Sequence, residues 1–279
     1  MWPERPWSHG RPALAVRGSI GRAFRHLVCT FPRVDCQSCV RQNTCEVPAW
    51  FEPPGDRRGP RPWWIRADTS GEISSEAPLV WHLQWIGEAP RDSLVFETLL
   101  RMAAAGLGSD RIPHRLDLDQ QVDGGHAPLV FHGVPTGRRI APTTLADLLG
   151  PAPTDELVWE LGPTRLRRRR RVIREPSVSD LLRAGMERVR GLCRTWCDGE
   201  PEPWPHAGEI GGFWLERGWS EASRYSRNGA SQVDLSGATG VLRLSRDDVG
   251  PWWDLVSVIP VVQLGRATTA GLGVVRQRS

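Results

Sequence analysis

Twice along this chain an apolar, helix-forming run gives way to the same glycine-punctuated quartet. Residues 94–105 end in Ala105-Gly106-Leu107-Gly108, and residues 252–264 lead across a short turn to Ala270-Gly271-Leu272-Gly273. Each copy is followed by a strand-like stretch that carries an arginine, Arg111 or Arg276. Glycine reaches positive φ freely and leaves neighbouring N–H groups uncovered, so such a turn can form an anion-sized concavity. In the later copy Arg266 and Arg276 bracket Gly265, Gly271 and Gly273 with positive charge, which favours a phosphate backbone as partner. A plain helix-to-strand turn is the competing reading. The copies stand about one domain length apart, and 279 residues suffice for two domains.

Composition narrows the partner. The formal net charge is only +4, yet all 36 basic residues are arginine. Arginine's planar fork grips phosphate through two parallel hydrogen bonds and stacks on bases, so the chain is well supplied for nucleic acid. Of 14 tryptophans, most read as core, whereas Trp63, Trp64, Trp214 and Trp219 stand among charged residues and could stack on unpaired bases. No apolar run approaches the roughly 20 residues of a membrane span, and residues 1–11 lack the apolar segment of a secretion signal. The expectation is a cytoplasmic protein with no membrane partner. Its six cysteines would then be reduced, and their spacing is read as metal binding or packing rather than disulfide.

In the first half, residues 1–12 read as a flexible arm and 13–16 as a strand. A helix over 20–29 follows, capped by Gly18 or Ser19. Ile20, Ala23, Phe24, Leu27 and Val28 form its core stripe, and Arg22, Arg25, His26 and Cys29 share the opposite side. On spacing alone that side is equally a solvated face with an incidental histidine. Cys29, Cys36, Cys39 and Cys45 come next, including one C-x-x-C. Four thiols so placed can close around a structural zinc; an iron–sulfur cluster and plain buried thiols are the alternatives. Residues 52–77 read as a loop, and 79–86 as a strand on which His82 shares a face with Val80 and Gln84. A helix over 93–105 and strands over 111–119 and 128–134 follow, with His114 and His132 as surface or packing residues.

The second half opens with a strand over 157–161 and then seven arginines within 165–174. So dense a run repels itself unless a polyanion neutralises it, although charge runs are commonly solvated loops. A helix over 177–197, capped by Ser177 or Ser179, carries Cys193 and Cys197 as packing residues. Residues 198–212 read as a loop, 221–227 pair with 238–244, and a helix over 251–264 reaches the closing turn. Strand, helix, two strands, helix, strand in each half is the ferredoxin-like order. The fold class is therefore α+β, with tandem ferredoxin-like (RRM-like) domains over 13–140 and 155–279. A cysteine-rich knuckle is inserted over 29–53, and a glycine-rich loop over 265–273 closes the second domain.

Arg224-Tyr225-Ser226-Arg227, followed by 237–244, 252–263 and 265–273, resembles the C-terminal domain of CRISPR repeat-processing endoribonucleases of the RAMP superfamily. Residues 17–29 are similar to the opening of a subgroup of that family, and Pro163-Thr164-Arg165-Leu166 resembles the strand that starts its second domain. The matches run in order over nearly the whole chain. The resemblance implies a metal-independent endoribonuclease that binds the CRISPR repeat hairpin and cuts precursor crRNA by 2′-OH attack. The product would carry a cyclic phosphate and stay bound. It further implies His26, on the first helix, as general acid or base, with Arg22 and Arg25 stabilising charge on the scissile phosphate. RNA contact would fall to Arg41, Arg167, Arg168, Arg169, Arg170, Arg171, Arg224, Arg227, Arg266 and Arg276, and to Gly265, Gly271 and Gly273. Catalysis needs no cofactor in this reading, and zinc at the four cysteines would be structural. Many relatives carry histidine where this chain has Gln263. That departure supports the alternative of a non-catalytic RAMP subunit gripping crRNA among other CRISPR effector subunits. Compactness and the first-helix arginines resemble type IV processing enzymes. A cysteine-knuckle DNA-binding or redox protein is a third reading, and it leaves both glycine turns without a role.

Overall fold

A computed structural model of the chain describes residues 1–8, 10–51, 59–68, 71–87, 91–122, 125–142, 149, 155–169, 171–197, 210–225 and 232–278. It divides into two compact units, Met1–Thr143 and Thr144–Ser279, each combining helices with small antiparallel sheets. Among the described residues no helix is long and apolar enough to cross a membrane.

Unit 1 is built from β1 (Trp2–Pro3), α1 (Pro12–Val28), β2 (Trp63–Ala67), β3 (Trp81–Trp85), α2 (Asp92–Ala105) and β4 (His114–Arg115). β1 pairs antiparallel with β4, and β2 with β3; Met1 and Leu79 donate to each other's carbonyls across the gap between these pairs. Pro12 stands in the first turn of α1, where its missing N–H costs nothing and its φ is already helical. Ala13, Val16, Ile20, Ala23 and Phe24 are buried along one stripe, packed in a core with Trp63, Ile65, Leu99 and Met102. The strand expected over 13–16 is thus the first turn of this helix, because Val16 continues the Ile20 stripe at helical spacing. Nor are residues 1–12 a free arm. Trp7 is buried and its indole N–H donates to His114 Nε2 at 3.0 Å, while His114 Nδ1 lies 2.7 Å from the Ile112 carbonyl. Burial, first of all, lowers the pKa of that imidazole.

Unit 2 contains β5 (Glu156–Thr164), α3 (Val178–Trp196), β6 (Phe213–Ser220), β7 (Gly237–Ser245), α4 (Trp253–Val262) and β8 (Val275–Arg278). Its four strands lie side by side in the order β6-β7-β5-β8, antiparallel throughout. Ser177 and Asp180 form a reciprocal capping box at the start of α3. Leu157, Trp159 and Leu161 of β5 are buried, as are Leu181 and Leu182 of α3 and Leu255 and Ile259 of α4. The helices approach closely at Gly185, where a Cβ would stand 2.5 Å from Ile259 Cδ1. The partner of β7 is 213–220 rather than 221–227; Ser223–Tyr225 instead pairs with Gln232–Asp234 in a separate ladder.

The closing turn is a tight backbone crossing. Gln263 ends α4 at φ 66° and is fully buried. Its amide donates to Pro260 O at 2.7 Å, and its carbonyl accepts from Val275 N at 3.0 Å. Gly273 N donates to Pro163 O at 2.7 Å and Gly271 N to Thr268 O at 3.0 Å. These two donors are therefore committed within the protein, and the expected open cradle of glycine N–H groups is revised for them. What the glycines permit is close approach. A Cβ on Gly273 would lie 1.7 Å from Leu264 O, and one on Gly265 would lie 2.7 Å from Arg165 O. Arg188, buried beneath, donates from Nε to Val262 O; burial pulls its pKa down to about 10, so it stays charged at neutral pH.

Arg165 fixes the other side of this crossing. It is 7% exposed, and Nη1 donates to Asp234 Oδ2 at 2.6 Å and to Ser236 O at 3.2 Å. Hydrogen bonds from the backbone and side chain of Ser236, then from Arg165, hold the Asp234 carboxyl at about 2.

Gly273→Ala is expected to destabilise the protein by roughly 3 kcal/mol or more, combining positive-φ strain with overlap against a carbonyl. Gly18→Ala, inside α1 with open space around it, is expected to stabilise by roughly 0.5–1 kcal/mol; thermal or urea unfolding reads both signs. Because the folded pKa of Asp234 lies below its ordinary value, its contribution is present above about pH 4 and lost as pH falls through about 2. Carboxyl titration by NMR should give that low midpoint in wild type and a higher one in Arg165→Met and Ser236→Ala combined, still below the ordinary value because the Ser236 N–H remains.

Candidate nucleic-acid interface

Most of the arginine run is a β-hairpin. Leu166–Arg168 pairs antiparallel with Arg171–Ile173, placing Arg168 opposite Arg171, and Arg169 takes φ 47° at the turn. Leu166 is buried, while Arg167, Arg168, Arg169 and Arg171 are exposed; Arg170 lies outside the described residues. None of these four has a carboxylate partner among the described residues. The two ends of the run behave differently: Arg165 is the buried anchor, and Arg174 lies over the Trp219 ring at 5.3 Å. The hairpin grows directly from the closing turn, since Arg266 N donates to Arg165 O at 3.2 Å and Gly265 packs on the same carbonyl. Exposed Arg266 therefore stands at the root of the hairpin. Like charges so close, kept apart from acidic partners, are relieved by a polyanion.

The sheet of unit 2 adds a second set of guanidinium groups. With Leu157, Trp159 and Leu161 buried, strand alternation turns Val158 and Glu160 to the opposite face. Register places Arg243 and Arg278 beside Val158, and Arg276 beside Glu160. Arg243 and Arg278 are exposed, and Arg278 Nε lies 3.3 Å from Glu160 Oε2. Sequence reading selected Arg276 and missed Arg243 and Arg278, although the apolar–polar alternation around each carries the signal. Arg224 pairs through its backbone with Val233; its side chain and all of Arg227 lie outside the described residues. Trp63 and Trp64, at 2% and 3% exposure, are core residues rather than stacking platforms. Trp214 and Trp219 are half-buried, beneath Arg217 at 5.2 Å and Arg174 at 5.3 Å.

In unit 1, Arg22 and His26 are exposed one turn apart near the end of α1. Arg25 is not presented with them. Its Nη2 donates to Pro32 O at 3.1 Å and Val34 O at 2.8 Å, and its Nη1 to Cys36 Sγ at 3.8 Å, so it braces the segment after the helix. Cys36 is buried in the unit 1 core. Cys29, Cys39 and Cys45 line a cavity of about 140 Å³ together with Arg41 and Glu46. Among the described residues no group of three or more His, Cys, Asp and Glu side chains stands where it could hold a metal ion. Of the four thiols expected to form a knuckle, the Cys36 sulfur lies in the core beside Arg25, and the other three line the cavity. Cys193 and Cys197 touch on α3, and burial pushes the Cys193 thiol up.

Sequence comparison with curated proteins yields no match. Residues 11–140 match an N-terminal domain family, and residues 160–275 match the CRISPR-associated endoribonuclease Cas6 family. Among solved structures, a product complex of Thermus thermophilus Cas6 is similar at 11% identity and a TM-score of 0.52, covering 99% of this chain and 97% of that one. A second Cas6 product complex is 14% identical with a TM-score of 0.48, covering 96% and 94%. A further Thermus thermophilus Cas6 structure is 11% identical with a TM-score of 0.46, covering 99% and 95%. At such identity the first of these speaks to fold, and the domain match in unit 2 speaks to family. The second unit thus carries a domain of the CRISPR-associated endoribonuclease Cas6 family, and the chain is Cas6-like in fold.

Proposed function

We propose that this chain is a metal-independent endoribonuclease that binds a CRISPR repeat hairpin, cuts precursor crRNA and stays on its product. The observation that carries the reading is the hairpin of exposed arginines braced on the glycine turn, of which Arg167, Arg168, Arg169 and Arg171 have no carboxylate partner among the described residues. An A-form stem offers proteins chiefly phosphates, 2′-hydroxyls and shape, and a rigid row of guanidinium groups suits that target. The order β8-β5-β7-β6 in unit 2 is the one a ferredoxin-like domain would have, and the separate pairs β4-β1 and β3-β2 of unit 1 are compatible with the same plan. The chemistry needs a 2′-oxygen to attack the adjacent phosphorus while the 5′-oxygen departs, leaving a 2′,3′-cyclic phosphate. An imidazole near neutrality can take the nucleophile's proton, and arginine can stabilise charge on the phosphate. In unit 1 the α1 face carries His26 beside Arg22, with Arg25 withdrawn to the neighbouring segment.

A second reading is a subunit that grips crRNA inside an effector complex without cutting it. It is favoured by Gln263, which is buried and holds Pro260 and Val275 rather than facing a substrate.

Mixing the protein with its cognate repeat RNA in EDTA is expected to give cleavage with a cyclic phosphate end, abolished by 2′-deoxy substitution at the scissile nucleotide. Binding without cleavage would move the chain to the second reading. Replacing Arg167, Arg168 and Arg171 by alanine should flatten the plot of log affinity against log salt by roughly 0.7–0.9 per lost phosphate contact, about 2–3 in all. An unchanged slope would remove the hairpin from the interface.

A further inference from the structure

A second imidazole in unit 1 is better prepared for proton transfer than His26. The β2–β3 ladder has two faces. Trp63, Ile65, Leu83 and Trp85 point into the core shared with α1. The register pairs Trp64 with Gln84 and Arg66 with His82 on the opposite face, so His82 lies on the side of the ladder turned away from α1. His82 Nε2 is 2.5 Å from Asp68 Oδ2, and Arg66 Nε is 3.0 Å from Asp68 Oδ1. The His82 side chain is 44% exposed and that of Asp68 33%. Beside them Val80, 49% exposed, presents an apolar surface.

An ionised carboxylate can only accept, so Nε2 carries the hydrogen and Nδ1 holds the lone pair. Nδ1 has no protein partner among the described residues. A ring fixed by a carboxylate at one nitrogen and open at the other is oriented for general-base work. Arg66 holds the other oxygen of the same carboxylate and so sets a guanidinium in the same cluster as the imidazole. His26 has no such orienting carboxylate among the described residues, and the two histidines lie on opposite sides of the ladder, so they do not serve one phosphate together.

We propose that His82, oriented by Asp68, accepts the 2′-OH proton during RNA cleavage by this chain, a role that rests on the cleavage reading above. In that step the proton passes from the 2′-oxygen to Nδ1 and the 2′-oxygen bonds to phosphorus. The bond from phosphorus to the 5′-oxygen breaks, and the departing oxygen takes a proton from water. Among the described residues Asp68 is the charged group that touches the ring, with Arg66 bonded to the same carboxylate and paired across the ladder with His82. Asp68 is a positioning residue, since it acts through His82.

Single-turnover cleavage of repeat RNA, with binding measured in parallel, tests the assignment. His82→Ala and His82→Gln should each slow cleavage by about 10²- to 10⁴-fold with affinity within about threefold. His82→Gln is the variant that keeps a donor for Asp68 but has no base. Both should lose the rise of rate with pH that imidazole deprotonation gives, and added imidazole should restore part of the rate of His82→Ala. Asp68→Asn should slow cleavage about tenfold or more and leave affinity unchanged. A cleaving wild type whose His82→Ala and His82→Gln variants keep pace overturns this assignment alone. A wild type that binds RNA but never cuts it overturns the cleavage reading and this assignment with it.

Discussion

The contact on which unit 2 depends is the crossing of two backbones at its closing turn. Leu264 and Gly273 meet with no room for a methyl group between them, and Gly265 lies close on the Arg165 carbonyl. Each approach puts a main-chain donor on a main-chain acceptor, so polar groups that the fold buries are satisfied without water. The crossing also joins three otherwise separate pieces: the end of α4, the last strand of the sheet, and the base of the arginine hairpin. Arg165, Gln263 and Arg188 are the polar side chains that lock it, and each faces inward. The outward arginines inherit their direction from this inner frame.

That division explains a difference between the two kinds of arginine in the run. Arg165 sits at the last covered position, where a carboxylate and a carbonyl are within reach, and is neutralised internally. From Arg167 onward the chain has left the body of the unit, and strand geometry sends the guanidinium groups into solvent. The charge density that looks uniform along the sequence is an anchor followed by a projecting arm. A similar economy holds in unit 1, where Arg25 leaves the face of α1 to hold the carbonyls of Pro32 and Val34, while Arg22 and His26 remain outside.

The periodic parts of this fold were legible in the sequence. The stripe from Ile20 to Val28, the run into Gly106 and the capped helix after Ser177 are local patterns, and the structure keeps all three. The first strand was misplaced because Ala13 to Val16 is apolar at every position and so carries neither a helical nor a strand period. The partner of β7 was misplaced for another reason: its exposed edge mixes Phe213 and Leu215 with Glu216 and Arg217, which hides alternation. The glycine repeat pointed correctly to a special turn, but its purpose, close packing of backbones, is a tertiary fact that no spacing reveals. In the same way Cys36 fits a ligand pattern in one dimension and a hydrophobic core in three. The His82–Asp68 pair spans a loop, so only the pairing of two strands brings it together.

The hairpin has one more consequence. A comb of weakly hydrated cations, with no carboxylate partner among the described residues, works as a miniature anion-exchange resin. On the proposed reading, such a comb in a cell extract would meet abundant host nucleic acid long before a rare cognate stem, and would hold that material loosely. Selectivity therefore has to come from how quickly the wrong strands leave.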